Sequence, residues 1–373
     1  TALGFSTTYS YDSLGRVTRK TNPDGSAIEY TYDGNGNILS MKDALGGVTT
    51  YTYNENNLLT AVTDPKGGKT TNLYTAAGLL ASTTDAEGRT TAYEYDGNQN
   101  VVSVTDGRNN TTRYGYDALN RLASVVDREG HTSIYNYDAK GNLTSIVRPD
   151  EGVISYVYDK ADQVTSKTDG NGSVTTYVYD KAGNLISETN PNGNTTTYTY
   201  DKENKLVKET SPLGNVTEYV YDAVGQLVAT INANDERVSN NYDADGRLIS
   251  TETALGLVTR YEYDDMGRLT KTINPDGTFT SSTYDANGNK LTFTDARGNT
   301  TSYTYDSKGN LLTTTDPEGY TWESTYNKVD ERTTYTDPKG GIVSFTYDGN
   351  GNVTSVTDAR EHTTYYSYDK NDR

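Results

Sequence analysis

The sequence predicts an all-β protein built as one continuous antiparallel meander of 21-residue β-hairpin repeats. Tyrosine recurs at a fixed spacing of 21 residues, every repeat contains two turn motifs, and no segment has helical periodicity. We expect about thirty-six strands of about six or seven residues each, with one hairpin per repeat. A single hairpin is marginally stable in water, so neighbouring repeats must stack before any of them is stable.

The repeated tyrosine defines the period, which has no insertion or deletion. Its eighteen copies are Tyr11, Tyr32, Tyr53, Tyr74, Tyr95, Tyr116, Tyr137, Tyr158, Tyr179, Tyr200, Tyr221, Tyr242, Tyr263, Tyr284, Tyr305, Tyr326, Tyr347 and Tyr368. Asp follows in fifteen copies, and a second tyrosine stands two residues earlier in thirteen. Because side chains alternate along a strand, both rings of a Tyr-x-Tyr segment lie on one face. We predict that these rings form structural ladders across the sheet.

The first turn of each repeat begins directly after the repeated tyrosine, as in Asp12-Ser13-Leu14-Gly15. The fourth place is Gly in eleven copies, including Gly36, Gly141 and Gly183, and Asn or Asp in six. These residues tolerate a positive φ, and Gln99 is the one departure. An Asp that opens a type I turn before a left-handed residue predicts a tight hairpin with a G1 bulge.

The second turn lies about half a repeat later, as in Asp64-Pro65-Lys66-Gly67 and Asp316-Pro317-Glu318-Gly319. All eight prolines of the chain occupy the second place of this turn. Proline presets φ there and lacks the N–H that a strand ladder needs, so this position belongs to a turn.

A sheet of this length must curve. A twisted open sheet rarely exceeds about ten strands without curling, and a bulge in every repeat bends the strands in one direction. Few aliphatic residues are present for a thick core. We therefore predict a spiral or superhelical sheet around a cavity or axis, formed by a single array over residues 1–373. We also expect this array to be a piece of a longer protein.

Composition limits the partners. The net charge of −18 disfavours nucleic acids and anionic membranes, which need clustered Lys and Arg. No apolar run is long enough for membrane insertion. The chain has no cysteine and only two histidines, His131 and His362, so thiolate and histidine metal sites are not expected. We predict no cofactor and no metal. The exposed edges of the terminal strands could allow self-association.

The repeat resembles the YD repeat of Rhs proteins. Two copies that carry the resemblance are Tyr11-Asp12-Ser13-Leu14-Gly15-Arg16-Val17 and Tyr305-Asp306-Ser307-Lys308-Gly309-Asn310-Leu311. The family includes bacterial Rhs toxins, shell subunits of insecticidal toxin complexes, wall-associated proteins and teneurins. The resemblance implies a cocoon-like shell of a bacterial secreted or cell-surface protein. In the toxins of the family, such a shell encloses an effector domain of the parent protein.

The sequence also departs from the toxin pattern. Rhs toxins carry a separate core region with a self-cleavage motif that contains aspartates, followed by a variable toxin, and neither is present here. Asp-Pro-x-Gly occurs at Asp64, Asp316 and Asp337, but each copy is an ordinary second turn in phase with the repeat. No catalytic residue is therefore carried over from the family, and we predict that the chain is not an enzyme.

Other candidate sites have simpler explanations in the repeat. Asp33-Gly34-Asn35-Gly36-Asn37 and residues 169–173 resemble the start of a calcium loop, but the bidentate acid at the twelfth place and the flanking helices are missing. Acidic residues recur in nearly every repeat, so no carboxylate pair stands out as a glycosidase site. Exposed tyrosine ladders could stack on sugars, but we favour a structural role for the rings.

Two functions follow from these observations. The first is a structural shell or scaffold segment that encloses a toxin or effector and has no catalytic activity. The alternative is an extracellular adhesin or filament whose repeats bind glycans or a protein partner on the cell surface. A hollow enclosure predicts a curved wall with a lumen, and a filament predicts a long regular fibre.

Overall fold

The computed structural model describes residues 3–373, and this part of the chain contains β-strands, turns and no helix. The first half of the strands are β1 (Thr8–Tyr11), β2 (Val17–Thr21), β3 (Ala27–Tyr32), β4 (Ile38–Lys42), β5 (Val48–Tyr53), β6 (Leu59–Thr63), β7 (Lys69–Tyr74), β8 (Leu80–Thr84), β9 (Thr90–Tyr95), β10 (Val101–Thr105), β11 (Thr111–Tyr116), β12 (Leu122–Val126), β13 (Thr132–Tyr137), β14 (Leu143–Val147), β15 (Val153–Tyr158), β16 (Val164–Thr168), β17 (Val174–Tyr179) and β18 (Leu185–Thr189). The remaining strands are β19 (Thr195–Tyr200), β20 (Leu206–Thr210), β21 (Val216–Tyr221), β22 (Leu227–Ile231), β23 (Arg237–Tyr242), β24 (Leu248–Glu252), β25 (Val258–Tyr263), β26 (Leu269–Ile273), β27 (Phe279–Tyr284), β28 (Lys290–Thr294), β29 (Thr300–Tyr305), β30 (Leu311–Thr315), β31 (Thr321–Tyr326), β32 (Arg332–Thr336), β33 (Ile342–Tyr347), β34 (Val353–Thr357) and β35 (Thr363–Tyr365).

The strands form one 35-stranded antiparallel sheet in which sequence neighbours pair. The prediction of an all-β antiparallel meander is therefore confirmed. Six-residue strands such as β3 have the expected length, and they alternate with five-residue strands such as β4, which are one residue shorter than expected. The residues that are missing from the strands belong to the turns. Asp12 N–H donates to Arg16 C=O, so both residues are part of the hydrogen-bonded turn.

The chain divides into two compact units. Unit 1 contains the chain up to Thr111 together with Tyr261–Arg373, and unit 2 is Thr112–Arg260. Both are built from the same 21-residue repeat, and every repeat interior to a unit pairs in the same register.

A bulge recurs in each hairpin closed by a first turn for which the structure describes the register. In β1 and β2, Ser10 pairs with Arg19 and Tyr11 with Val17, which leaves Thr18 as the extra residue. The same shift recurs at Tyr32, Tyr158 and other repeated tyrosines. This bulge is separate from the left-handed residue of the turn, such as Gly15, whose φ is 76°. Each repeat therefore has two bending elements where the sequence predicts one.

The bulge also shifts the ladder. Val157 pairs with Ser166, and Ser166 pairs with Thr176. The residue of the next repeat that is equivalent to Val157 is Val178, so the residue that lies in line with Val157 across the sheet is two positions before it. Two residues correspond to about 7 Å along a strand. A constant shift in one direction tilts the strands relative to the line of repeats, which is the same linkage that governs tilt in sheared barrels.

The sheet has no thick core. Among the described residues, Ala61 and Ala229 are the buried hydrophobic side chains, and no large side chain is fully buried. Most strand residues are half-buried on one face or the other. Stability must therefore come from cross-strand pairs, turns and hydrogen bonds within a single layer, because sheet-on-sheet packing is not present inside it.

Candidate functional site

The first turns are held by the aspartate that opens them. Asp12 Oδ1 accepts hydrogen bonds from the N–H groups of Leu14 and Arg16, at 2.9 and 3.0 Å, and Gly15 N–H donates to Asp12 C=O. Hydrogen bonds from the backbone and side chain of Arg16 hold the pKa of Asp12 below its usual value. The fourth place is left-handed even where it is not glycine, and Gln99 has φ 69°. The departure in sequence at Gln99 therefore leaves the turn unchanged.

The second turns have the same geometry. Asp64 Oδ1 accepts from Lys66 N–H and Gly68 N–H, and Gly67 N–H donates to Asp64 C=O. Gly67 and Gly319 have φ of 83° and 88°, and Pro65 and Pro317 stand one place after the opening aspartates. Gly36, Gly141 and Gly183, in first turns, have φ of 94°, 100° and 92°.

The repeated tyrosines bind the preceding strand through their hydroxyls. Tyr32 Oη donates to Val17 C=O at 2.6 Å, and Tyr200 Oη donates to Leu185 C=O at 2.9 Å. At least fourteen of these tyrosines in the described part of the chain make this bond, each to the residue fifteen places earlier: Tyr32, Tyr74, Tyr95, Tyr137, Tyr158, Tyr179, Tyr200, Tyr221, Tyr242, Tyr284, Tyr305, Tyr326, Tyr347 and Tyr368. The ladder between β2 and β3 begins at Arg19, so the hydroxyl satisfies a carbonyl beyond the ladder.

Replacing one of these hydroxyls should weaken the sheet locally. We expect Tyr200→Phe to destabilise the repeats around β18 and β19 by about 1 kcal/mol, since it leaves Leu185 C=O without its donor. Tyr11→Phe is the matched control, because Tyr11 lies on β1 with 59% of its surface exposed. Hydrogen exchange should be faster in β18 and β19 of the first variant and unchanged in the second. Equal exchange in both variants would contradict a structural role for the hydroxyl.

Arginines at the fifth place of some first turns connect successive repeats. Arg16 Nε donates to Asp12 Oδ2 at 2.7 Å, and an Nη of the same guanidinium donates to Asp33 C=O at 2.8 Å. Its Cζ lies 4.7 Å from the centroid of the Tyr32 ring. Arg121 has the same ring contact with Tyr137, at 4.6 Å. One side chain thereby contacts its own turn, the next turn and the next tyrosine.

Asparagine at this fifth place has a different partner. Asn310 Nδ2 donates to Asp330 Oδ1 at 2.6 Å, and Asn184 Nδ2 donates to Asn204 Oδ1 at 2.8 Å. The acceptor is the left-handed residue of the following first turn, twenty positions later. Of the seven asparagines at the fifth place, six are followed at that distance by Asn or Asp, at 57, 120, 162, 204, 330 and 372. When another residue occupies the fifth place, the following left-handed residue is Gly or, once, Gln99.

Steric crowding accounts for glycine after glutamine and lysine at the fifth place. A Cβ added at Gly246 would lie 3.1 Å from Gln226 Nε2, and one added at Gly225 would lie 3.2 Å from Lys205 Nζ. After Arg16 and Arg268 the Cβ position is open, because a Cβ added at Gly36 or Gly288 would have no atom within 4 Å. Asn289 is the exception to the rule, because it is followed by Gly309.

The exception gives a test of the rule. We expect Gly309→Asn to change the free energy of unfolding by less than about 0.5 kcal/mol, because a hydrogen bond to Asn289 offsets the left-handed strain. Gly246→Asn has the same strain beside Gln226 and should cost about 1 kcal/mol. Urea unfolding of the two variants measures the difference. Equal losses would show that the pairing of Asn with Asn or Asp has no energetic basis.

Unit 1 contains a set of contacts between distant turns, which we call the turn seam. Second turns at residues 22–25, 64–67, 85–88 and 106–109 lie against first turns at 264–267, 306–309, 327–330 and 348–351. Each facing pair is 242 residues apart in sequence. Since both rows advance by 21 residues, the two rows remain in step along the seam. Two segments of the sheet thus lie edge to edge within unit 1.

Ion pairs connect the two rows. Arg89 donates to both carboxylate oxygens of Glu331, one of them at 2.6 Å, with four-fifths of each side chain buried. Lys66 Nζ lies 2.8 Å from Asp306 Oδ2, and Lys308 Nζ lies 2.7 Å from Asp64 Oδ2. These last two pairs cross, since each turn supplies one lysine and one aspartate.

The seam carboxylates are stabilised in their charged form. Hydrogen bonds from Arg89 hold the pKa of Glu331 below its usual value. Burial alone would raise the pKa of Asp306, but the hydrogen bonds from Lys66 and Asn310 outweigh it and lower the pKa to about 2. The same balance, with Lys308 as donor, lowers the pKa of Asp64. The seam is therefore an arrangement of fixed charges at neutral pH.

The carboxylate oxygens that suggest a calcium loop accept hydrogen bonds within their own turns. Asp33 Oδ1 accepts from Asn35 N–H and Asn37 N–H, and Asp33 Oδ2 accepts from Asn37 Nδ2. Asp169 Oδ1 accepts from Asn171 N–H and Ser173 N–H in the same way. Over residues 3–373, no three His, Cys, Asp or Glu side chains come close enough together to hold a metal ion. Turn formation accounts for these aspartates.

Comparison with known proteins identifies the repeat. A family model described as teneurin YD-shell matches residues 98–282. A model described as RHS repeat matches residues 1–27, 32–69, 74–111 and 284–363, in overlapping copies at the last range. The chain belongs to the Rhs/YD-repeat family. The resemblance inferred from the Tyr-Asp pattern is confirmed. No curated protein matches the sequence at a significant level.

Solved structures show the same fold as these YD repeats. A TcdB2–TccC3 structure without the hypervariable C-terminal region matches with a TM-score of 0.75 and 18% identity, over 100% of this chain and 22% of its own. A Tc holotoxin pore of Photorhabdus luminescens matches with a TM-score of 0.74 and 18% identity, over 99% and 22%. A TcdB2–TccC3–Cdc42 structure gives 0.70 and 18%, over 96% and 24%. The chain spans about a quarter of the length of these structures' chains. No helix within residues 3–373 is long and apolar enough to cross a membrane.

Proposed function

We propose that this chain is a structural segment of a shell that encloses a toxin or effector, and that it has no catalytic activity of its own. The observation that carries the proposal is the turn seam, which joins two segments of a single-layer sheet edge to edge. The seam joins rows of turns at the strand ends through ion pairs and hydrogen bonds, so two segments of the single-layer sheet form one continuous wall. The likeness to Tc toxin structures supports the same function.

The partner in this proposal is an effector domain of the parent protein, and the location is outside the cell or at its surface. The chain spans 22–24% of each matched Tc chain, so further parts of a parent protein would complete the enclosure. The turn aspartates accept hydrogen bonds within their own turns, so the proposal requires no cofactor. The first turns, second turns and tyrosine hydroxyls act as structural rungs in this function.

The adhesin alternative receives less support from the site. Glycan binding by aromatic rings needs exposed ring faces, but the repeated tyrosines are mostly half-buried and donate their hydroxyls to backbone carbonyls. A glycan array would decide this alternative. Specific binding that is lost on replacing several repeated tyrosines would favour the adhesin over the shell.

Electron microscopy of the purified chain tests the shell directly. We expect curved walls around a solvent-filled lumen in single particles. Arg89→Glu should disturb the wall by breaking the seam, and Arg89→Glu with Glu331→Arg should restore it. Compact, solid particles without a lumen would overturn the proposed function. Particles of the seam variant that are indistinguishable from wild type would show that the seam does not maintain the wall.

A further inference from the structure

The turn seam shows which turn sequences fit each other. Arg108, at the third place of a second turn, lies 3.5 Å from Asp348 in the facing first turn Asp348-Gly349-Asn350-Gly351-Asn352. In return, Asn350 Nδ2 donates to Asp106 Oδ2 at 2.9 Å. A second fitting pair joins Arg268, at the fifth place of a first turn, to Asp24 in Asn22-Pro23-Asp24-Gly25, at 3.8 Å.

The same turn sequences recur on the two edges of unit 1 that lie outside the seam. One edge, the late second-turn row, consists of the second turns at 274–277, 295–298, 316–319, 337–340 and 358–361. The other, the early first-turn row, consists of the first turns at 12–15, 33–36, 54–57, 75–78 and 96–99. Neither row takes part in the seam contacts.

The match between these rows lies in their charged and amide positions. At the second place of the second turns, Ala296 and Ala359 replace Gly107, where a Cβ would overlap Gly349 C=O, so these turns cannot approach as closely as the seam pair. Residues 274–277 repeat Asn-Pro-Asp-Gly of 22–25, and Asp12-Ser-Leu-Gly-Arg16 ends in arginine as the turn of Arg268 does. Arg297 and Arg360 occupy the third place of their second turns, as Arg108 does. Residues 33–37 repeat Asp-Gly-Asn-Gly-Asn of 348–352, and residues 96–100 differ from it only at Gln99.

One register brings all of these motifs into facing positions. When the turn at 12 faces the turn at 274 and both rows advance by 21, Arg16 faces Asp276, Arg297 faces Asp33, and Arg360 faces Asp96. The facing turns 54 and 316, and 75 and 337, contribute no ion pair. A shift by one repeat leaves one pair within unit 1, Arg297 with Asp12 or Lys339 with Asp96 according to its direction, and in the first case Glu318 faces Asp33.

The arginines of the late second-turn row are available for such a contact. Arg297 and Arg360 are exposed, and neither side chain forms an ion pair with any residue of the described chain. Their seam counterpart, Arg108, is about four-fifths buried and pairs with Asp372 at 2.9 Å. Arg297 and Arg360 thus occupy the same turn position as Arg108 but have no ion-paired carboxylate among the described residues. This is expected if a second row of turns covers the late second-turn row.

We propose that unit 1 of one copy binds unit 1 of a second copy edge to edge, with the late second-turn row of the first copy against the early first-turn row of the second. The contact joins two different surfaces, so each added copy leaves one row of each kind exposed and association remains open-ended. This inference does not depend on whether the wall encloses a cargo. It assigns to this chain a self-association surface whose specificity lies in arginine–aspartate pairs.

Charge reversal with a matched control tests the proposal. Arg297→Glu with Arg360→Glu reverses the charge of the late second-turn row and sets carboxylates against Asp33 and Asp96. Arg19→Glu with Arg332→Glu makes the same change in net charge at exposed strand residues of unit 1 that lie outside both rows.

Sedimentation velocity at low ionic strength over a range of concentrations gives the result. We expect wild type to associate, and Arg297→Glu with Arg360→Glu to associate at least about tenfold more weakly. Arg19→Glu with Arg332→Glu should associate as wild type does, because neither residue faces the second copy. Wild type that remains monomeric, or equal weakening in the two variants, would overturn the proposal. Electron microscopy of the Arg297→Glu, Arg360→Glu variant, in which single particles persist, tests the lumen separately.

Discussion

Reversing the charge of Arg89 is expected to open the turn seam of unit 1 and to cost about 3 kcal/mol in its stability. Among the described residues, Arg89 is the cation that pairs with the Glu331 carboxylate, and the two side chains are 19% and 16% exposed. Removing one partner of a buried pair leaves the other charge without compensation, which typically costs about 3–5 kcal/mol. We use the lower limit because the pair retains some solvent contact. Arg89→Glu adds repulsion to that loss.

Hydrogen exchange measures this effect at the seam itself. Amides in the turns at 85–88 and 327–330 should exchange faster in Arg89→Glu, while those of unit 2 remain unchanged. Arg89→Glu with Glu331→Arg should recover most of the protection. Arg19→Glu is the matched control, because the pair between Arg19 and Glu29 is 47% and 41% exposed and contributes at most about 1 kcal/mol. Similar effects at Arg89 and Arg19 would contradict a structural role for the seam.

Local features of this protein were predictable because the repeat determines them within about 21 residues. Asp12 and Gly15 define a turn whose hydrogen bonds close within five residues, and Pro65 excludes a strand at its position. Alternation along a strand places both rings of Tyr30-Thr31-Tyr32 on one face whatever the tertiary structure. All-β meander architecture follows from those features alone.

Two further features of the repeat required the structure, for different reasons. The bulge at Thr18 gives no compositional signal, since threonine is equally common in regular strand positions. The spacing of twenty residues between Asn310 and Asp330 is present in the sequence, but it does not by itself indicate a contact. Asp tolerates a positive φ, and this alone would explain why Asp stands at 330. The hydrogen bond shows that its identity depends on the preceding repeat.

The seam could not be predicted from the repeat. Its spacing of 242 residues is eleven and a half repeats, and this number depends on the accumulated bend and shift of every intervening hairpin. Lys66 and Asp306 look like ordinary turn residues in the sequence. A small change in bend per repeat would bring a different turn opposite Asp64, so a local code cannot specify the partner.

Acid is expected to loosen the seam between about pH 4 and pH 2, the second large effect. The pKa of Asp306 is lowered from 3.8 to about 2 by Lys66 and Asn310, against the opposing effect of burial. A carboxyl whose pKa is depressed in the folded state stabilises that state above its unfolded pKa, and this stability is lost as the pH falls through the folded pKa. For Asp306 the loss is about 2 kcal/mol, at 1.36 kcal/mol per unit of pKa. The lowered pKa values of Asp64 and Glu331 act in the same direction.

Hydrogen exchange or urea unfolding of unit 1 at pH 6, 4, 3 and 2 would follow this loss. Asp306→Asn should have a shallower dependence below pH 4 than wild type, because the group that titrates has been removed. Asp180→Asn is the control in unit 2: Asp180 opens a first turn and binds Asn184 as Asp306 binds Asn310, but no lysine of a distant turn reaches it. Protection in the turns at 64–67 and 306–309 should therefore fall before that of the turn at 180–183. Loss of protection in all three turns at one pH would mean that acid unfolds the repeat itself, and that the seam charges contribute little.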